Sequence, residues 1–155
     1  MIQRVVFDCM VVLQGAARSR GPAAACLALA EADKVELFVS KPILEEMRDV
    51  MSREKVRRRF PVLTPEFVAS FLRRLTQFTT ILDDVPMAFP LPRDVKDEKY
   101  LNLAIAVNAK YLVSHDKDLL DLMKPALTEG KAFLAKSPNL EILEPPAFLQ
   151  KSDIK

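Results

Sequence analysis

Short, mostly apolar runs recur along the chain and end at a polar residue or a proline. These runs cover residues 5–7, 37–39, 111–113 and 140–143. Near-continuous apolar character over a few residues is typical of strands buried on both faces, as in a parallel sheet. We therefore predict four strands of one sheet.

Between these runs the apolar residues recur every three or four positions, which is the spacing of one helix face. The predicted helices span residues 22–32, 42–53, 65–77, 97–109 and 117–124. Thr64 precedes Pro65 as a helix N-cap. Strands that alternate with helices predict an α/β fold with a mostly parallel sheet, which we assign to residues 1–150 as a single domain with a short tail at 151–155.

Charge and composition exclude several classes of protein. The net charge of +2 comes from 23 basic and 21 acidic residues, so only a local concentration of charge is informative. One such concentration covers residues 53–59, although a solvated helix end explains it equally simply. Three glycines in the whole chain leave no room for a phosphate-binding glycine loop.

Cys9 and Cys26 are too few for a disulfide framework and lack the spacing of metal ligands. We expect Cys9 to be a buried thiol. No apolar stretch approaches the ~20 residues of a membrane span, and the first residues lack the layout of a signal peptide. The expected protein is cytoplasmic, soluble and reduced, with no membrane contact.

Three acidic residues stand where open parallel sheets bind their ligands, beyond the carboxyl ends of the strands. Asp8 follows the first strand, Asp116 follows the third, and Asp97 begins the helix that leads into the third. Each alone also suits a turn or a cap. Asp97 in particular completes a capping box with Asp94 as N-cap, yet the helical period turns it toward the core.

The helix at 42–53 offers two adjacent acids. Its apolar residues are Ile43, Met47, Val50 and Met51. With ~100° per residue, Glu46 lies at the edge of this apolar face and Glu45 lies almost opposite. We expect Glu46 to look into a cleft and Glu45 to face solvent.

Carboxylates that converge on one cleft repel one another unless a cation is present. Mg²⁺ and Mn²⁺ prefer such oxygen ligands, and they can activate water for attack on a phosphodiester. The absence of His or Cys ligands argues against zinc. The acids therefore predict a site for Mg²⁺ or Mn²⁺.

Four segments carry a resemblance to a known family. They are Asp8 after the first strand, SKPILEEM at 40–47, RDVKDEKYL at 93–101 and YLVSHDKDLL at 111–120. In this order they resemble the PIN-domain family, and within it the toxin components of toxin–antitoxin systems. The resemblance runs from about residue 2 to residue 122, and its last two motifs are the most specific. It implies a three-layer α/β/α fold with a central, mostly parallel sheet.

The resemblance also implies an activity and its residues. It makes the protein a metal-dependent endoribonuclease, VapC-like, with RNA as substrate, an antitoxin protein as partner and a homodimer as assembly. The catalytic set falls on Asp8, Glu46, Asp97 and Asp116, of which Asp8, Asp97 and Asp116 would bind the metal. Asp118 and Ser114 are auxiliary residues. Lys96, Lys99 and Lys117 are candidates for contacts with RNA phosphates.

Two positions depart from the family pattern. Met10 stands where the family usually has a polar residue that holds the site by hydrogen bonds, and such losses commonly cost ~10–100-fold in activity or metal affinity. His115 stands where a small residue or Arg is common, and a structural role suits it better than that of a general base.

Other functions remain open from the sequence. A degenerate PIN domain that binds RNA or a protein without cutting is the main alternative, supported by Met10 and opposed by the four acids. A phosphatase of the haloacid dehalogenase type also opens with a strand and Asp, but it needs a second Asp at position 10. A receiver domain needs an acidic pair after the first strand, which is absent.

Overall fold

The computed structural model describes residues 1–155 and contains a five-stranded, entirely parallel sheet. The strands are β1 (Gln3–Phe7), β2 (Val35–Ser40), β3 (Thr79–Leu82), β4 (Tyr111–Val113) and β5 (Glu141–Leu143). Their order across the sheet is β3-β2-β1-β4-β5, so that β1 lies at the centre. Val5 of β1 is in register with Leu37 on one side and Tyr111 on the other.

Nine helices accompany the strands. They are α1 (Cys9–Ala17), α2 (Pro22–Glu31), α3 (Lys41–Ser52), α4 (Glu54–Arg59), α5 (Pro65–Gln77), α6 (Glu98–Ala106), α7 (Lys117–Leu120), α8 (Thr128–Lys136) and α9 (Pro145–Leu149). Helices α2 and α9 pack together and contact β2 and β4, whereas α3, α5 and α6 contact β1 to β4 and one another. The predicted three-layer α/β/α fold is confirmed.

The centre of the sheet is its most deeply buried part, as the near-continuous apolar runs predict. Val5 and Val6 of β1 and Leu112 and Val113 of β4 are fully buried. Phe7 packs edge-on against Phe148 of α9, with 5.7 Å between ring centroids. Each residue of this kind gains about 1.5–3 kcal/mol from burial, so these two strands are held firmly in place.

Four predicted helices differ from the observed ones at their ends, including α2 and α7, which end at Glu31 and Leu120 rather than at 32 and 124. Helix α3 begins at Lys41, because the hydroxyl of Ser40 caps it by accepting a hydrogen bond from the Ile43 amide at 3.3 Å. The predicted helix at 97–109 begins only at Glu98, after a 3-10 turn at Val95–Asp97. The expected capping box is wrong, because the side chain of Asp94 makes no capping hydrogen bond.

Strand β3 and helices α1, α4, α8 and α9 were not predicted. The side chains of β3 are half-buried or exposed, so this edge strand lacks the continuous apolar pattern of the others. Helix α1 starts with β-branched residues that favour a strand, but the Asp8 side chain caps it through the Val11 amide at 2.9 Å.

The last residues pack against the domain. Residues Ser152–Ile154 form a 3-10 turn in which the Ile154 side chain is buried. Asp153 pairs with Lys110 and accepts a hydrogen bond from the Tyr111 hydroxyl at 2.8 Å. No helix has the combination of length and apolar character that crossing a membrane requires.

Candidate functional site

An open cleft of about 770 Å³ lies beyond the carboxyl ends of β1 and β4. The chain crosses from one side of β1 to the other at this point, because β2 and β4 flank it on opposite sides. Parallel sheets bind their ligands at such a crossover. The acidic residues that line the cleft are Asp8, Glu45, Glu46, Asp49, Asp94, Asp97 and Asp116.

Asp8 is held by both of its carboxylate oxygens. Oδ1 accepts a hydrogen bond from the Val11 amide, and Oδ2 accepts one from the hydroxyl of Ser114, which directly follows β4. Burial raises the pKa of Asp8, although both hydrogen bonds act in the opposite direction. Ser114 also accepts a hydrogen bond from the Asp116 amide at 2.9 Å, so it fixes two acids at once.

Asp94, Asp97 and Asp116 form a group that we call the carboxylate triad. Each supplies one oxygen, and these three oxygens lie within 4.8 Å of one another. Oδ2 of Asp97 is buried without any hydrogen-bond partner. Oδ1 of Asp116 accepts a hydrogen bond from the Asp118 amide at 2.7 Å, which fixes the direction of this carboxylate.

The triad is electrostatically unfavourable when fully ionised. Burial, together with the nearby Asp116 and Asp94 carboxylates, raises the pKa of Asp97 to about 8. A buried carboxylate needs a proton or a cation to compensate its charge. Oxygen-only donors at this spacing, one of them without a partner, suit a hard divalent cation.

The triad differs from the predicted metal set in one member. Asp94 belongs to it, whereas Asp8 lies beside it in the same cleft. The sequence pattern predicts that Asp94 is a helix cap instead. Its position three residues before Asp97, within one turn, is the signal by which it could have been found.

Glu46 lines the cleft but does not join the triad. Its Oε2 lies 2.6 Å from Nζ of Lys99, and its Oε1 accepts a hydrogen bond from the hydroxyl of Tyr100. The side chains of Glu46 and Lys99 are 23% and 29% exposed, so their ion pair is shielded from solvent. Its negative charge is therefore already compensated. Glu45 is exposed, as predicted, but it also lines the cleft, which was not expected.

A family model described as "PIN domain" matches residues 4–118. The chain belongs to the PIN domain family. No curated protein matches the chain. PIN domains are typically nucleases that act on RNA and usually use divalent metal ions. The match includes Asp8, Glu46 and the whole carboxylate triad.

The lysines predicted to contact RNA differ in their surroundings in this PIN domain. Lys96 is exposed and lines the cleft. Lys117 is exposed but does not line the cleft. Lys99 is already paired with the Glu46 carboxylate. Lys96 is therefore the lysine best placed to meet a phosphate in the cleft.

The auxiliary acid Asp118 faces another partner. It forms an ion pair with Arg93 at 2.7 Å, and Arg93 also pairs with the buried Asp121 at 3.1 Å. The Asp118 amide thus donates a hydrogen bond to Asp116, and the Asp118 carboxylate binds Arg93 in the loop that carries Asp94.

The two departures from the family pattern both lie at the cleft. Met10 is 38% exposed there and offers no hydrogen bond to the acids. His115 lies 3.5 Å from Glu144 through Nδ1, at the outer side of the cleft. Cys9 is buried, as expected, and this burial raises the pKa of its thiol to about 12. The thiol is therefore protonated and unsuited to act as a nucleophile.

Proposed function

We propose that this PIN domain is an endoribonuclease that requires Mg²⁺ or Mn²⁺. The observation that carries the proposal is the carboxylate triad, in which a buried oxygen of Asp97 has no partner. A divalent cation held by Asp94, Asp97 and Asp116 would compensate their charge, polarise a phosphodiester and supply a more acidic water for hydrolysis. The triad itself offers only oxygen donors, which disfavours zinc.

The chain itself would position the acids and the RNA. Ser114 holds Asp8 and the backbone of Asp116, and thereby links the ends of β1 and β4. The Asp118 amide orients the Asp116 carboxylate. Lys96 provides a positive charge at the cleft that would hold a phosphate close to the acids.

The proposal is tested by incubating a labelled RNA pool of mixed sequence with the protein, with and without Mn²⁺. We expect cleavage that requires Mn²⁺ and falls at least ~100-fold in Asp97→Asn, since charge compensation at such sites contributes several kcal/mol. Glu66→Gln removes one charge from an exposed acid outside the cleft and serves as the matched control. Cleavage that persists in EDTA, or is undiminished in Asp97→Asn, would contradict the proposal.

A second candidate function is RNA binding without cleavage. Two observations favour it: Met10 lines the cleft in place of a polar side chain, and Glu46 forms an ion pair with Lys99. This function predicts that Mn²⁺ and RNA both bind while the labelled pool stays intact. Isothermal titration with Mn²⁺, run beside the cleavage assay, separates the two candidates.

We further propose that the protein acts in the cytoplasm as the toxin of a toxin–antitoxin pair and as a homodimer. This proposal is supported by the resemblance of the motifs at 93–101 and 111–120 to toxin-type PIN domains. Expression in a bacterial host should arrest growth, and Asp97→Asn should relieve the arrest. Equal growth with both chains would contradict the toxin role, and sedimentation velocity tests the dimer.

A further inference from the structure

A second charged feature begins at the edge of the cleft and leads away from it. We call it the basic ridge and define it by Arg18, Arg53, Lys55, Arg57, Arg58 and Arg59. Five of these side chains are exposed and Arg57 is half-buried. One acid, Glu54, lies among these residues in the sequence, and it pairs with Arg58 at 2.6 Å.

The ridge is continuous with the cleft. Glu46, Asp49 and Arg53 follow one another along α3 at intervals of three and four residues, the spacing of one helix face, and all three line the cleft. Arg53 pairs with Asp49 at 2.6 Å and is also the residue that precedes α4. The acidic cleft therefore passes directly into the ridge.

The far end of the ridge is assembled from two separate segments. Arg59 of α4 and Arg18, which follows α1, both place their guanidinium groups over the ring of Phe60, at 5.2 Å and 5.3 Å from its centroid. Helix α1 starts beside Asp8 in the cleft, and its nine residues rise about 1.5 Å each. The ridge thus extends roughly 14 Å from the acids, enough for several phosphates of a single strand.

Helix stabilisation explains only part of this charge. Basic residues in the last turn of a helix interact favourably with the helix dipole, and Arg57, Arg58 and Arg59 occupy that turn of α4. Arg18, at the C-cap of α1, benefits in the same way, whereas Lys55 lies in the first turn of α4 and does not. Neither forms an ion pair, and Nε of Arg57 is buried without a hydrogen-bond partner.

We propose that the basic ridge binds the sugar-phosphate backbone of single-stranded RNA that enters or leaves the cleft. The inference rests on the proposed function, since it assumes that the RNA bound by the ridge is the RNA that reaches the cleft. A ridge of arginines contacts phosphates at any sequence, and the acids at the cleft repel the strand unless a cation is bound there. The ridge therefore supplies binding energy that the cleft alone lacks.

The test measures binding of a fluorescent single-stranded RNA pool to the full chain in EDTA, where metal-dependent cutting does not interfere. The ridge variant carries Arg18→Gln, Lys55→Gln and Arg59→Gln. The matched control carries Lys34→Gln, Arg73→Gln and Lys131→Gln, three exposed residues outside both ridge and cleft that form no ion pairs. Both variants lose the same charge, so only its location differs.

We expect the ridge variant to bind RNA at least about tenfold more weakly than wild type, and the control to stay within about threefold. The slope of log K against log salt should fall by about 2, since each phosphate contact on a single strand contributes about 0.7. Circular dichroism and thermal unfolding would show that both variants are folded. Equal weakening of both variants would overturn the proposal.

The outcome is separable from that of the cleavage assay. If wild type cuts RNA but the ridge variant binds it normally, the ridge has no role in RNA binding and the nuclease proposal stands. If the ridge variant loses RNA binding while wild type never cuts, the ridge proposal stands and the nuclease proposal fails. Ridge-dependent binding of polyglutamate, with no binding of RNA, would assign the ridge to an acidic protein and overturn the proposal.

Discussion

At the scale of single residues, Asp97 is the member of the carboxylate triad whose charge is least well compensated. One of its oxygens is buried without a partner, and its pKa is raised to about 8 by burial first and by neighbouring carboxylates second. A cation and a proton therefore compete for the same group. Such competition makes metal affinity depend on pH.

The raised pKa of Asp97 makes the stability of the folded protein depend on pH. Between pH 4 and 8, Asp97 keeps its proton in the folded state but has lost it in the unfolded state. This contribution to the stability of the metal-free protein therefore falls as the pH rises through that range. Asp97→Asn lacks this loss. In EDTA we expect the variant to gain about 2–4 °C in Tm over wild type between pH 6 and pH 8.5, after discounting for partial exposure.

Differential scanning calorimetry at both pH values measures this gain, with Glu66→Gln as the control that keeps the wild-type pH dependence. A Tm difference between Asp97→Asn and wild type that is the same at both pH values would show that Asp97 does not titrate between them, and would contradict the prediction.

The pair of Glu46 and Lys99 sets the charge of the cleft. The ammonium group of Lys99 compensates the charge of the Glu46 carboxylate, which lines the cleft. In Lys99→Met the Glu46 carboxylate is free to attract a cation. We expect Mn²⁺ affinity to rise about tenfold, which corresponds to ~1.4 kcal/mol, in isothermal titration.

Stability should change in the opposite direction in the same variant, because the loss of Lys99 leaves a poorly exposed carboxylate without its partner. Lys96→Met removes a lysine that lines the cleft itself but pairs with no acid. It should change Mn²⁺ affinity less. Equal effects of the two variants would mean that the pair with Glu46 is irrelevant to cation binding.

At the scale of elements, one buried side chain fastens the long loop between β3 and α6 that delivers Asp94. Oδ1 of Asn102 accepts hydrogen bonds from the Ala88 and Phe89 amides at 2.6 Å and 2.7 Å. Its Nδ2 donates to the carbonyl oxygens of Phe89 and Glu98. Asn102 is 3% exposed, so no water replaces these bonds readily.

We expect Asn102→Ala to lower the free energy of unfolding by about 2–4 kcal/mol, because it leaves several backbone groups unpaired. Urea denaturation measures this loss, and Mn²⁺ affinity should fall as well, since the loop ends at the triad. The exposed Asn139→Ala is the control. A loss below about 0.5 kcal/mol would mean that the loop holds its position by other contacts.

The elements also show which local patterns can be predicted. Helix α5 was predicted at its observed bounds, because Thr64, Pro65 and the apolar period all agree, and Oγ1 of Thr64 accepts a hydrogen bond from the Phe67 amide at 3.2 Å. Helix α1 was missed because its β-branched residues indicate a strand. There the side chain of Asp8, the N-cap, overrides propensity, whereas the sequence left open whether Asp8 was a cap or a site residue.

At the scale of the whole molecule, the parallel sheet places the acids that follow β1 and β4 in one cleft, and this much was predictable from the strand ends. The exclusion of Glu46 from the triad was not, since it depends on Lys99 and Tyr100 from another helix. The basic ridge was visible in part. Its residues at 53–59 are adjacent in sequence, whereas Arg18 joins them only through the ring of Phe60.

The segment beyond the family match completes the fold. Residues 119–155 supply β5, α8 and α9, and Phe148 of α9 packs edge-on against both Phe7 and Tyr111. Ile154 is 1% exposed and follows Asp153, which bonds to Lys110 and Tyr111 beside β4. The sheet that carries Ser114 and Asp116 is thus covered at its far end by the last residues of the chain.

Ile154→Ala tests whether this cover stabilises the domain. Truncation of a buried Ile costs about 2–5 kcal/mol, so the urea midpoint should fall clearly, whereas Lys155→Ala at the exposed neighbouring position should leave it unchanged. Mn²⁺ affinity of the folded protein should stay within about twofold of wild type, because the change lies far from the cleft. A midpoint equal to that of wild type would mean that the final turn is not part of the cooperative unit, and that the core is closed by Phe148 alone.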